Sequence, residues 1–122
     1  MTVRLGSIGL GRWGNELSAA ATRTGKAELA TCFAPPAAER AAFVEKHGCA
    51  EVGNLDDLLS DPEIDGVIIA TPHRTHADLI VQAAEAGKHV YTEKPFTLTV
   101  DEADRAIAAC AKAGTVLQVG HN

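Results

Sequence analysis

Three short runs in this chain gather residue types that can hold an anion or move a proton. Gly9-Leu10-Gly11-Arg12-Trp13-Gly14 has the G-x-G-x-x-G spacing. A pyrophosphate site needs a tight turn, here Gly9, a bare stretch of backbone beside the ligand, here Gly11, and close helix–strand packing, here Gly14. The helix that follows would present unpaired N–H groups and a partial positive charge. Leu10, Arg12 and Trp13 fill the gaps. Arg12 in the first turn opposes the helix dipole by roughly 0.3–1 kcal/mol unless an anion lies there, or is screened if exposed. Trp13 reads as an apolar lid or wedge. The second run, Ala70-Thr71-Pro72-His73-Arg74-Thr75-His76, carries two imidazoles three residues apart. The third, Tyr91-Thr92-Glu93-Lys94-Pro95, sets a carboxylate and an amine just before a proline. Residues before proline are pushed to extended backbone, so Lys94 continues past its strand and projects over the sheet edge. An amine there can exchange the proton of a hydroxyl that is being oxidised; the bland alternative is a solvated surface lysine. The Lys94–Pro95 bond is open to either isomer.

The elements that must position these runs alternate. Short apolar stretches over 2–8, 27–33, 50–52, 66–70, 89–91 and 116–119 read as strands, several of them continuous rather than alternating, as strands covered on both faces do. Between them lie helical stripes. Leu17, Ala20, Ala21 and Thr24 precede Gly25; the stretch 37–47 precedes Gly48; the stretch 76–86 precedes Gly87; Ala103, Ile107, Cys110 and Ala111 precede Gly114. Each glycine is the expected left-handed helix stop. Thr99 and Glu102 form a capping box, and a short helix is expected over 55–59. Strand–helix alternation with right-handed crossovers predicts a single α/β domain over 1–122: a Rossmann-type, doubly wound parallel sheet of about six strands in the order 3-2-1-4-5-6. All three runs, and the closing Gly120-His121-Asn122, then fall at the carboxyl ends of strands, where such sheets bind ligands.

Composition narrows the function. The chain has 122 residues and a net charge of −5, without the basic footprint of a nucleic-acid or anionic-membrane binder. Its longest strongly apolar run, Val67-Ile68-Ile69-Ala70, is far short of the roughly 20 residues of a membrane span, and the N-terminus reads as a strand without signal-peptide anatomy. Cys32, Cys49 and Cys110 are too few and too scattered for a disulfide framework and read as buried thiols in a reducing cytoplasm. His73 and His76 have no third ligand placed to join them, so no metal site is expected.

One position departs from the dinucleotide pattern. An acid is usual about 20 residues beyond the glycine loop, at the end of the second strand. Here the count lands on Phe33-Ala34-Pro35, with Glu39 and Arg40 inside the next helix. Ala34 leaves room for a 2′-phosphate toward which Arg40 could swing, so NAD and NADP both stay open.

With these residues in view, the chain resembles the glucose–fructose oxidoreductase and inositol dehydrogenase family (Gfo/Idh/MocA). The matching segments are GLGRWG from Gly9 to Gly14, ATPHRTH from Ala70 to His76, AGKHVYTEKP from Ala86 to Pro95, and VGHN from Val119 to Asn122. The Glu-Lys-Pro segment, at its distance from the glycine loop, is the specific element. The resemblance implies NAD or NADP as cofactor, and hydride transfer to or from a sugar- or cyclitol-like alcohol. It places Lys94 between nicotinamide ribose and substrate hydroxyl as the catalytic residue. Glu93 would orient Lys94 or touch that ribose, unless it is only a rim carboxylate. Thr71 and Pro72 would place backbone beside the cofactor. His73 and His76, near the cofactor pocket, could also cap helix N–H groups. Asn122 would reach the cofactor where a second domain fixes it. That domain, which supplies much of the family's substrate pocket, has no counterpart in these 122 residues. The chain alone is therefore expected to bind dinucleotide and turn over poorly, and the native assembly is expected to be a homo-oligomer. A stand-alone, non-catalytic nucleotide-binding module or partner subunit is the alternative.

Overall fold

The computed structural model describes residues 2–120. Its elements are β1 (Val3–Ile8), α1 (Arg12–Arg23), β2 (Ala27–Phe33), α2 (Ala37–His47), α3 (Leu55–Leu59), β3 (Gly66–Ile69), a 3-10 turn (His73–Thr75), α4 (His76–Glu85), β4 (His89–Thr92), α5 (Val100–Ala113) and β5 (Leu117–Val119). The strands form one parallel sheet in the order β2-β1-β3-β4-β5. This is the doubly wound Rossmann arrangement, with five strands where six were expected. The segment 50–52 lies at the β2 edge. Its Ala50 and Val52 N–H groups donate to the Ala30 and Cys32 carbonyls, at 3.1 Å each, but it does not complete a ladder. Counted as a strand, it would restore the order 3-2-1-4-5-6.

Helix ends follow the chemistry of their residues. Gly25, Gly48, Gly87 and Gly114 all have φ between 71° and 77°. The Thr99 hydroxyl accepts from Glu102 N at 3.1 Å, and Glu102 reaches back to Leu98 N, one residue earlier than in a standard capping box.

Helices cover both sheet faces. On one side α3, α4 and α5 bury Ile8, Val67, Ile69 and Val90. On the other, α2 sets Phe43 over Leu29, Cys32 and Ala34. In β2, Leu29 pairs with Leu5 but Thr31 pairs with Gly6, so one extra residue enters the strand and turns Cys32 and Ala34 to the same face as Leu29.

Two stripes sit differently from the expectation. On α5, Ala106 and Cys110 are buried, while Ile107 is 52% exposed. Small residues let α5 approach Ala83 and Ala84 of α4 closely, and the larger Ile107 is turned outward. On α1, the residues pressed inward are Gly14 and Ser18. Leu17, Ala20, Ala21 and Thr24 instead border an apolar groove of about 460 Å3 beside β3, β4 and Val116.

Lys88 is 6% exposed, and its Nζ donates to the Asp61 and Ile64 carbonyls at 2.6 and 2.8 Å. This tie secures the turn entering β3. Lys88→Met keeps the stem but leaves both carbonyls without that donor, and is expected to cost about 1.5–3 kcal/mol in urea unfolding. A change below about 0.5 kcal/mol would remove Lys88 from the account of the fold. Burial, with Cys49 beside it, pushes the Cys32 thiol up to about 12, so iodoacetamide at pH 8 is expected to label Cys32 only after unfolding. Rapid labelling of the native chain would contradict this.

Candidate functional site

The glycine loop is shaped by backbone contact. Gly9 has φ +92°, and a Cβ there would collide with the Ala70 carbonyl at the end of β3. A Cβ at Gly14 would run into the carbonyl of Gly9. At Gly11, by contrast, nothing lies within 4 Å of where a Cβ would stand. Gly11 is also the N-cap of α1, with no side-chain cap, and the first turn of the helix carries no acid. The first-turn N–H groups are thus left for an external acceptor. Behind the loop, Asn15 Nδ2 donates to the Leu10 and Gly11 carbonyls at 3.0 and 2.9 Å. Asn15 Oδ1 lies 2.8 Å from His47 Nε2, which donates to it. These bonds engage the loop's carbonyls from behind and tie it to the end of α2. Burial, and secondarily Lys46, lowers the His47 pKa from 6.5.

The loop opens on a cleft of about 890 Å3 bounded by three strand-end turns, at 8–11, 33–35 and 70–72. The first turns of α2 and α4 close its sides through Glu39 and Asp78. Arg40 does not hang free for a 2′-phosphate: its Nη1 donates to the Ala34 and Pro35 carbonyls (2.8 and 2.9 Å), and its Nε pairs with Glu51 (2.9 Å). Glu39 lines the cleft instead.

A smaller cavity of about 130 Å3 adjoins the cleft, sharing Ala70 and Thr71 with it. Trp13, His73, Glu93 and Lys94 complete its walls. Lys94 is exposed and precedes a cis bond to Pro95. The Glu93 N–H donates to the Ile69 carbonyl at 3.0 Å, while its carboxylate Oε2 is buried without a partner among the described residues. Burial, then the Glu93 charge, raises the Tyr91 phenol above 10. Trp13 is 46% exposed, with the Arg12 guanidinium 5.4 Å from its ring.

The strand-end rim therefore gathers Gly9, Leu10, Gly11, Ala34, Thr71 and Pro72 on the cleft, and Trp13, His73, Glu93 and Lys94 on the adjoining cavity. Gly14 acts through packing, and Arg12 stands outside both. His76 is fully buried, and both its ring nitrogens face backbone carbonyls, so it neither lines the cleft nor caps helix N–H groups. Asn122, like His121, lies outside the described residues. Sequence reasoning set Glu39 aside as lying inside the next helix, because the acid was sought on the strand; it stands in the first turn of α2, on the cleft. The same reasoning missed Asn15, for which no motif asks. Among the described residues no group of three His, Cys, Asp or Glu could hold a metal ion, and no helix is long and apolar enough to cross a membrane.

Comparison with known proteins identifies the family and the fold. The sequence model of the GFO_IDH_MocA group, described as an oxidoreductase family with an NAD-binding Rossmann fold, matches residues 3–121. The scyllo-inositol 2-dehydrogenase (NAD(+)) of Bacillus subtilis (strain 168) is 37% identical over 120 residues, which cover 97% of this chain and 35% of that protein. The WlbA dehydrogenase of Bordetella pertussis, solved with NADH and UDP-GlcNAcA, superposes with a TM-score of 0.92 at 29% identity, over 98% of this chain and 37% of that one. Biliverdin reductase of Synechocystis sp. PCC 6803, solved with biliverdin and NADP+, gives 0.91 at 29% identity, over 98% and 38%. The chain spans about a third of the length of the curated relatives it matches. The chain belongs to the GFO_IDH_MocA oxidoreductase family and comprises its NAD-binding Rossmann fold.

Two outcomes test the loop. Gly14→Ala is expected to destabilise the chain by at least ~2 kcal/mol, since two pieces of backbone must separate. Wild-type stability in urea would show that the Gly9–Gly14 contact is dispensable. Folded His47 binds its proton less readily than unfolded His47, so the unfolded state takes up more protons as pH falls below 6.5. The His47 contribution is then complete above pH 6.5 and lost on acidification through the lowered folded value. Replacing His47 by Gln should flatten that part of the stability–pH curve; an unchanged slope between pH 7 and 5 would contradict it.

Proposed function

We propose that residues 1–122 work as the dinucleotide-binding domain of an enzyme that transfers hydride between NAD or NADP and an alcohol carbon of a sugar- or cyclitol-like substrate. One observation carries the reading. The uncapped end of α1, with open backbone at Gly11, faces a cleft that continues into the cavity holding Lys94 and the unpartnered Glu93 carboxylate oxygen. An anion suits the first place and a hydroxyl donor the second. The residues present thus fit a dinucleotide: phosphates at the α1 end, and a ribose hydroxyl at Glu93 Oε2.

The nicotinamide ring, when bound, supplies or accepts the hydride. The Gly9–Gly14 loop binds and orients through amides whose carbonyls are engaged from behind by Asn15. Trp13 walls the cavity and limits water there. Lys94 as the free amine takes the proton from the substrate hydroxyl during oxidation and becomes the ammonium, which returns the proton during reduction. Further substrate contacts come from a second domain, in keeping with the third of its relatives' length that this chain spans. A cytoplasmic setting and a homo-oligomeric assembly belong to the same reading. It is supported by the three free thiols, and by Val100 and Val116, which are 75% and 62% exposed.

NADH and NADPH titrations, followed by energy transfer from Trp13, test the proposal. Saturable binding of at least one is expected. Gly11→Ala, whose Cβ meets no protein atom, should keep the unfolding midpoint but weaken binding at least about tenfold, roughly 1.4 kcal/mol. Equal binding by the variant, or no binding by the unsubstituted chain, would overturn the reading. Glu39 presents like charge to a 2′-phosphate, so Glu39→Gln should raise NADPH affinity several-fold relative to NADH, on the order of 1 kcal/mol. An unchanged ratio would place the adenosine ribose away from Glu39.

A further inference from the structure

The turn that carries Lys94 is neither strand nor helix, and besides Phe96, which packs against the core, its fixed points are few. Residues 93–99 join β4 to α5. Glu93 N is bonded back to β3 through the Ile69 carbonyl, at 3.0 Å. The next tie comes from His76, at the start of α4. Its Nδ1 lies 2.9 Å from the Pro95 carbonyl and 3.3 Å from that of Phe96, and its Nε2 lies 3.1 Å from the Thr71 carbonyl. Both ring nitrogens thus face backbone acceptors, and the tautomer decides which of them donates. The ring is 0% exposed, and its bonds compete with no water. One imidazole therefore joins two turns distant in sequence: the rim of the cleft at Thr71 and the turn immediately after Lys94. Thr71 is itself held, its hydroxyl lying 2.7 Å from that of Thr75, which donates to the Pro72 carbonyl at 2.6 Å.

We propose that His76 is a positioning residue for Lys94: it clamps the turn after Lys94 to the Thr71 rim, and so sets where the ammonium stands over the cavity. This rests on the reading of Lys94 as the proton-exchanging group. The two ring nitrogens can be separated by substitution. In His76→Asn the amide nitrogen stands near the place of Nδ1 and keeps the Pro95 tie. In His76→Gln it stands near the place of Nε2 and keeps the Thr71 tie.

Amide hydrogen exchange on the whole chain reads the clamp without ligand. Exchange in residues 94–97 should stay within about twofold of the unsubstituted chain in His76→Asn and quicken on the order of tenfold in His76→Gln, with β1 and β3 unchanged in both. Equal effects of the two variants, or quickening that spreads through the sheet, would make His76 an ordinary core residue and overturn the clamp. The second readout is the NMR line of 13C-dimethylated Lys94, identified by its loss in Lys94→Arg. It is followed with NADH or NADPH, whichever binds. The line should move on saturation in the unsubstituted chain and in His76→Asn, and by less than half as much in His76→Gln. An equal shift in all three overturns positioning while Lys94's role stands. A line unmoved by saturating dinucleotide in the unsubstituted chain ends the reading of Lys94, and positioning falls with it.

Discussion

The site depends on how closely β1, α1 and β3 approach one another at their carboxyl rim. Gly9 takes a positive φ against the Ala70 carbonyl, and Gly14 brings α1 against the carbonyl of Gly9, leaving no room for a side chain at either place. That contact fixes the angle at which α1 leaves the sheet and holds its unpaired N–H groups beside the cleft. Gly11 stands between the two with open space before it. The same short segment thus holds two glycines required by packing and one, Gly11, whose bareness no contact within the chain requires.

Side chains then hold the turns in place. Asn15 occupies the loop carbonyls and is tied to His47 on α2. Arg40 binds the turn after β2 to Glu51 near the sheet edge. His76 bridges the turns after β3 and β4. Each is a polar side chain spent on backbone groups, and each fixes a turn that bounds the cleft or carries Lys94. The exposed rim residues Trp13, His73 and Lys94 make no such tie among the described residues.

Much of this was legible in the sequence, because local chemistry decides it. Glycine after a helix, Thr99 ahead of Glu102, and continuous apolar strands each act over a few residues. Five of the six expected strands stand where those signals put them. The sixth, 50–52, has the composition of a strand but makes only the Ala50 and Val52 bonds at the sheet edge. The α5 stripe was misread because periodicity cannot say which residues a neighbouring helix will approach. Close packing on Ala83 and Ala84 favoured Ala106 and Cys110 over Ile107. Glu39, Asn15 and the two-turn bridge of His76 were hidden for a related reason. The Asn15–His47 and His76–Pro95 ties join residues that sequence spacing does not bring together, and the place of Glu39 on the cleft depends on how α2 packs.

The central claim is that one rim of the sheet holds a dinucleotide from the α1 terminus to Lys94. Amide chemical-shift mapping with saturating NADH or NADPH tests it most directly. The account predicts shifts concentrated at 9–14, 33–35, 70–75 and 93–94, along one continuous path. Shifts confined to the apolar groove between α1 and β4, or spread without focus over both faces of the sheet, would contradict it.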